Sequence, residues 1–208
     1  MMQDLVRNYN IPQHKTLVIH NAAENPDGKK IMSKFDTDEK IFKLVTVARL
    51  SEEKGIERLI NAVGLLSVPL KYFIIGSGKR KDYLQALVVK LEMTDKIIFI
   101  PEKTEPFAGF EDADLYLMGS YYEGFPNVLV EAGMLGMPVI AFNAPGGIAE
   151  IIEDGKNGML VDDNDILDFA SAVKRALSFN FSRNEIIEST QKRFSVDTML
   201  LRIENVLG

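Results

Sequence analysis

The feature that most constrains this chain is the alternation of short, β-branched apolar runs with longer amphipathic stretches. "TLVIH" (16–20), "IFKLVTVAR" (41–49), "KYFIIG" (71–76), "KIIFI" (96–100), "DLYLMG" (114–119), "PVIAF" (138–142) and "GMLV" (158–161) read as strands. Between them, residues 55–66, 81–93, 126–136, 148–152 and 165–178 carry apolar residues at helical spacing, as do residues 195–207 at the end. Strands apolar on both faces and separated by crossover helices predict a parallel sheet covered on both sides. Right-handed crossovers then give an α/β, doubly wound, Rossmann-like domain. No repeat and no Pro/Ser-rich linker interrupts residues 1–208, which read as one domain.

In such a sheet, ligands sit beyond the carboxyl ends of the strands, so the turns after each strand are where chemistry is expected. Composition narrows the chemistry. The net charge of −6 excludes a general nucleic-acid binder, which needs a basic face. With no cysteine and only His14 and His20 as histidines, a structural zinc site is not expected and a reducing, cytoplasmic compartment is. No apolar run approaches the roughly 20 residues of a membrane-spanning helix, and no signal-peptide pattern is read.

Four turns stand out. "ARLSEEKG" (48–55) places Arg49 and Lys54 around a helix start, where two cations and the helix dipole suit an anion; pairing with Glu52 and Glu53 is the plainer reading. "GSGKRK" (76–81) fails as a dinucleotide fingerprint, because Lys81 replaces its third glycine, and as a P-loop, because Phe73 replaces its first. A tight turn at Gly76 that lets backbone approach a ligand or a helix is the favoured reading, and Gly76 stands with Glu102 among the candidate ligand-binding residues. "NAPGGIAEII" (143–152) opens a short helix with Gly146 and Gly147. "YYEGFPNVLVEAG" (121–133) is the richest. Pro126 suits the first helical position. The amides of Gly124, Phe125, Asn127 and Val128 can then face an anion. Glu123 precedes the helix, and Glu131 lies five residues beyond Pro126, about 7.5 Å along the axis. The two carboxylates therefore reach different places, as the two ends of one ligand would require.

On these motifs the chain resembles the C-terminal half of the retaining, nucleotide-sugar-dependent glycosyltransferases of GT-B fold, the group 1 family. Glu123 and Glu131 match its E-x7-E pair, "RLSEEKG" its R-L-x-x-x-K-G pattern, "FIIGSG" its strand and glycine turn, and "PVIAFNAPGGIAE" its P-V-I-A…G-G-x-x-E segment. "VIHNAAEN" (18–25) is similar to its lead-in. The resemblance implies that Arg49 and Lys54 bind the diphosphate of a sugar nucleotide, with help from amides around Phe125–Val128. It implies that Glu131 accepts from the ribose and that Glu123 holds the transferred sugar. The strand tip Ile100–Glu102 would read the base, uridine being favoured. Such enzymes use no resident cofactor or metal; the sugar nucleotide is a substrate. Pro101 departs from the family's glycine, as does Ala48.

The resemblance also implies an absent N-terminal, acceptor-binding domain. "MMQDLVRNYNIPQHK" (1–15) reads as the end of the linker to it, and the helix at 195–208, with Met199, Leu200, Ile203 and Val206, as a surface that would pack on it, or on this domain's own sheet. A chain of this length is expected to bind the nucleotide sugar but to transfer poorly, whether it is truncated or a natural subunit that works with a separate acceptor-binding chain. Any peripheral membrane association would belong to the full-length enzyme, and the products expected are polysaccharides or glycolipids. A receiver-like domain is disfavoured, since "TVARLS" offers cations where acids are needed. A glycosidase with paired carboxylates has no other support.

Overall fold

The computed structural model describes residues 6–23 and 41–207. Six strands form one all-parallel sheet: β1 (Phe42–Val47), β2 (Leu70–Ile75), β3 (Ile97–Ile100), β4 (Leu115–Met118), β5 (Val139–Phe142) and β6 (Gly158–Val161). Their order is β3-β2-β1-β4-β5-β6. This is the doubly wound Rossmann arrangement, in which the chain winds outward one way from β1 and then the other way from β4. The crevice between the ends of β1 and β4 is therefore the topological switch point.

Helices follow most of the strands: α1 (Ile56–Gly64), α2 (Lys81–Lys90), α3 (Asn127–Met134), α4 (Ile148–Ile151), α5 (Ile166–Ser178), α6 (Arg183–Phe194) and α7 (Val196–Leu207). The pleat sends successive side chains to opposite faces. Thus Leu44 joins one apolar layer with Leu59 and Val63 of α1 and Phe169 of α5, while Val45 joins the other with Val130 of α3, Ile148 of α4 and Phe194 of α6. α3 and α6 approach closely enough that a Cβ on Gly133 would lie 2.5 Å from Thr190 Oγ1.

Two expectations fail. Residues 16–20 form no strand; they follow a short 3-10 turn at Gln13–Lys15 as an extended segment. The sheet edges belong to β3 and β6, and Leu17, Val18 and Ile19 remain exposed, so water satisfies a backbone that no ladder does. Conversely, α6 was not foreseen, because its sequence is mostly polar and buries only Ile186, Thr190 and Phe194, spaced four apart. A signal was present: Ser182 and Glu185 form the S-x-x-E pattern of a capping box, and Ser182 Oγ accepts from Glu185 N at 3.3 Å. Other helices and strands lie within one to three residues of the expected bounds. Residues 1–5 of the expected linker, Glu24 and Asn25 of "VIHNAAEN", and Gly208 lie outside the described residues. On α7, Leu200, Leu201 and Val206 are exposed, whereas Met199 and Ile203 are half-buried.

Candidate functional site

The switch point is built by two turns pressed together. After β1, Ala48 N and Leu50 N donate to Ile75 O (3.0 Å) and Ser77 O (2.7 Å), tying the turn to the end of β2. A 3-10 turn over Glu52–Lys54 follows, closed by Gly55 at φ +57°. A Cβ there would fall 1.8 Å from Gly119 O, so only glycine lets the turn after β1 meet the turn after β4. Tyr121 N donates to Glu53 O at 2.9 Å across the same seam. Beneath it, the Tyr116 hydroxyl donates to Val47 O (2.9 Å), locking the last residue of β1 to β4.

Arg58 of α1 holds the turn after β4. It is 3% exposed; its guanidinium donates to Gly119 O (2.6 Å), Ser120 O (2.5 Å) and Asp163 Oδ1 (2.6 Å). It also lies between the rings of Tyr121 and Phe142, 4.0 and 3.9 Å from their centroids. Sequence reasoning missed Arg58, because one arginine in an amphipathic helix carries no signal of burial. The turn it holds presents Glu123, whose Oε1 accepts from Lys54 Nζ at 2.7 Å and from Ser120 Oγ at 2.6 Å. Lys54 and Glu123, expected at one site from different motifs, are thus in direct contact. Arg49 is not part of this cluster; it is largely exposed, with a long 3.9 Å approach to Glu53.

The second layer of this turn comes from β5. Glu123 N donates to Pro145 O at 3.0 Å, and Glu123 and Gly146 form an isolated parallel bridge. Gly146 has φ +123°, and a Cβ on it would lie 1.5 Å from Glu123 O. The Gly-Gly pair read as a turn or cap is therefore the floor on which Glu123 rests.

Beyond Glu123 several polar groups lack a protein partner among the described residues. The backbone amides of Gly124, Phe125, Asn127 and Val128 have no acceptor among the described residues. Pro126 stands at the N-cap of α3, one position earlier than expected, and Leu129 N donates to its carbonyl at 3.0 Å. Glu131, half-buried on the second turn of α3, has neither hydrogen bond nor ion pair among the described residues. Burial pushes its carboxyl above the ordinary carboxylate range. Burial raises the Tyr116 hydroxyl most, and the Glu123 and Glu131 carboxylates push it the same way, so both lie within electrostatic reach of this one group.

At the tips of β2 and β3, Gly76 N donates to Ile100 O at 3.0 Å, and a Cβ on Gly76 would fall 2.0 Å from Ala48 O. Gly76 thus serves the tight turn that was the favoured reading. Glu102 is exposed and accepts from the Ser77 hydroxyl. Also unforeseen were His20 and Asn21, which meet Phe125 and Asn127 in front of the helix. Among the described residues no group of three or more His, Asp or Glu could hold a metal ion, and no helix is long and apolar enough to cross a membrane.

The chain is similar to known proteins. The family of glycosyl transferases group 1 matches residues 27–193. The N-acetylgalactosamine-N,N'-diacetylbacillosaminyl-diphospho-undecaprenol 4-alpha-N-acetylgalactosaminyltransferase of Campylobacter jejuni is 30% identical over 162 residues, 77% of this chain and 44% of that enzyme. The lipopolysaccharide outer core galactosyltransferase WaaB superposes with a TM-score of 0.86 at 22% identity, over 99% of this chain and 58% of that one. HepE of Anabaena, solved with UDP, superposes with a TM-score of 0.74 at 25% identity, over 80% and 48% of the two chains; it has also been solved with UDP-glucose. The chain spans about half the length, or less, of these relatives.

Proposed function

The chain belongs to the group 1 glycosyl transferases, with the fold of their C-terminal GT-B domain, and from that premise we propose that it is the part of a retaining hexosyltransferase that binds the nucleotide sugar, with UDP as the nucleotide. The observation that carries this reading is the contrast within one turn: four amides and a half-buried carboxylate without partners among the described residues, next to a carboxylate held through Oε1 by Lys54 and Ser120. Buried polar groups are almost always paired in native proteins, so the half-buried Glu131 carboxylate calls for a partner, and the free amides at the start of α3 suit the phosphates of the same ligand. Its phosphates meet the amides at the start of α3 and its ribose hydroxyls donate to Glu131. UDP and UDP-glucose complexes of HepE favour uridine.

In the reaction so read, the bond between the sugar's anomeric carbon and the diphosphate oxygen breaks, and the acceptor hydroxyl takes the carbon while losing its proton. Negative charge accumulates on the leaving diphosphate. Preorganised amides and Lys54 stabilise that charge without reorganising, and the exposed Arg49 of the same turn swings in to add a second cation. Glu123, bonded to Lys54 and Ser120, is placed to accept from sugar hydroxyls near the reacting carbon. Glu102 and the tip of β3 border the base. No resident metal or cofactor is invoked. An acceptor-binding domain, on the same polypeptide or another, completes the cleft, and the acceptor is a glycan or a lipid-linked glycan.

A thermal-shift panel of UDP, GDP, ADP and their sugar conjugates tests the proposal. A ligand at 100 times its Kd adds about 2.7 kcal/mol, or roughly 5–11 °C for a domain of this size. A shift with the uridine compounds alone is expected. A shift with another base moves the assignment of the nucleotide; no shift with any of them overturns the reading for this chain.

A further inference from the structure

Residues 16–20 were expected to form a strand, with Asn21 following it in the lead-in "VIHNAAEN"; instead His20 and Asn21 lie across the front of α3. The His20 ring stacks on Phe125 at 5.2 Å, with its plane inclined by 30°, and meets the edge of Phe194 at 5.6 Å. Its Nε2 donates to Glu150 Oε2 at 2.8 Å, and Arg202 of α7, which offers only donors, approaches Nδ1 at 3.4 Å. One residue on, Asn21 Nδ2 donates to Asn127 Oδ1 at 3.0 Å. The chain is then fastened by Ala23 N, which donates to Phe194 O at 3.2 Å. Phe125 and Asn127 carry two of the four unpaired amides.

We propose that His20 and Asn21 are positioning residues: as a strap from outside the sheet, they hold the Phe125–Asn127 turn in the orientation that aims its amides at a diphosphate. The turn needs such support. Gly124 has open space where a Cβ would lie, and the α3 N-cap makes no side-chain capping bond. Gly147 supports the turn from one side, since a Cβ on it would lie 2.7 Å from Gly124 O and 3.2 Å from Phe125 Cα; constraint on the opposite side is left to the strap. The strap supplies that constraint through a ring stack and a side-chain hydrogen bond, and it ties the turn to α4, α6 and α7 at once. The inference rests on the reading of those amides as a diphosphate site.

The test compares the wild-type chain with His20→Ala and His20→Phe. Hydrogen exchange at residues 124–128 is measured in the free proteins, and affinities for UDP and for uridine by calorimetry. In His20→Ala, exchange in the turn is expected to rise, and UDP to bind about tenfold more weakly, the scale on which supporting residues act through direct ligand contacts. Uridine, which lacks phosphates, should bind unchanged, an outcome that general destabilisation would not produce. His20→Phe keeps the stack and should restore most of the UDP affinity. Unchanged exchange, equal losses for UDP and uridine, or undiminished UDP binding by His20→Ala would each overturn the strap alone. Failure of the wild-type chain to bind UDP would instead overturn the diphosphate reading, and the strap's purpose with it.

Discussion

The turn at Ser120–Glu123 and the helix start at Gly124–Glu131 are consecutive in sequence and opposite in character. The first is held from several sides: Arg58 takes the carbonyls of Gly119 and Ser120, Lys54 and Ser120 take Glu123 Oε1, and Gly146 meets the backbone. In the second, the amides and Glu131 have no partner among the described residues. The difference separates two kinds of site residue. Glu123 sits on a rigid, prepaid platform and can be aimed without a ligand. Glu131, half-buried, bears the cost of incomplete pairing in the free protein, and a ligand removes that cost on binding; the amides stand at exposed or half-buried residues, open to exchange water for a ligand. Glu123 keeps its place; Glu131 and the amides gain by the encounter.

The largest effect should come from breaking the platform. Arg58→Ala leaves two carbonyls and Asp163 without their cation, and is expected to cost about 3–5 kcal/mol of stability in urea denaturation. Gly146→Ala drives a Cβ into Glu123 O at a backbone angle that alanine resists, and should cost about 2–4 kcal/mol by the same measurement. Both should also lower UDP affinity, by disordering the neighbouring turn.

Mutating the unpaired half should reverse the pattern. Glu131→Ala removes charge-assisted hydrogen bonds worth about 1.5–3 kcal/mol each, so UDP should bind roughly 10- to 150-fold more weakly in calorimetry. Its melting temperature in the absence of ligand should hold or rise slightly, because a half-buried carboxylate without a partner is lost. If Glu131→Ala destabilised the free protein as Arg58→Ala does, the two regions would not differ as described.

The smallest effect is a pH dependence. The folded protein holds the Glu131 carboxyl above its ordinary value. Below the ordinary value both folded and unfolded chains are protonated there, and the group costs nothing. As pH rises from the ordinary to the raised value, the unfolded chain ionises first and stability falls; above the raised value the loss is complete. Glu131→Gln should lack this component in a pH series of melting temperatures. Ligand hydroxyls favour the ionised carboxylate, so UDP affinity should strengthen as pH rises through the same window, and in Glu131→Gln it should not.

The sequence makes the fold legible because the strands are buried on both faces, which writes them as compact β-branched runs such as "KYFII" and "LVTV". It misleads at residues 16–20, where an apolar run of the same kind is exposed and joins no ladder. It also hides α6, whose core face is three residues wide and whose capping box was the available clue. The placement of Glu123, Lys54 and α3 at one switch point follows from motif order along the chain. What the sequence cannot show is pairing: that Lys54 answers Glu123 whereas Arg49 faces solvent, that Arg58 is a buried clamp, and that His20 arrives from far away in sequence to stack on Phe125. Those are contacts between residues tens to more than a hundred positions apart, and each residue type alone is ordinary at its position.

The most direct test of the central claim is a crystal structure of the chain with UDP bound. The account predicts phosphate oxygens on the amides of Gly124, Phe125, Asn127 and Val128, ribose hydroxyls on the Glu131 carboxylate, and an unmoved Ser120–Glu123 turn. UDP bound elsewhere, or bound here with Glu131 still without a partner, would contradict it.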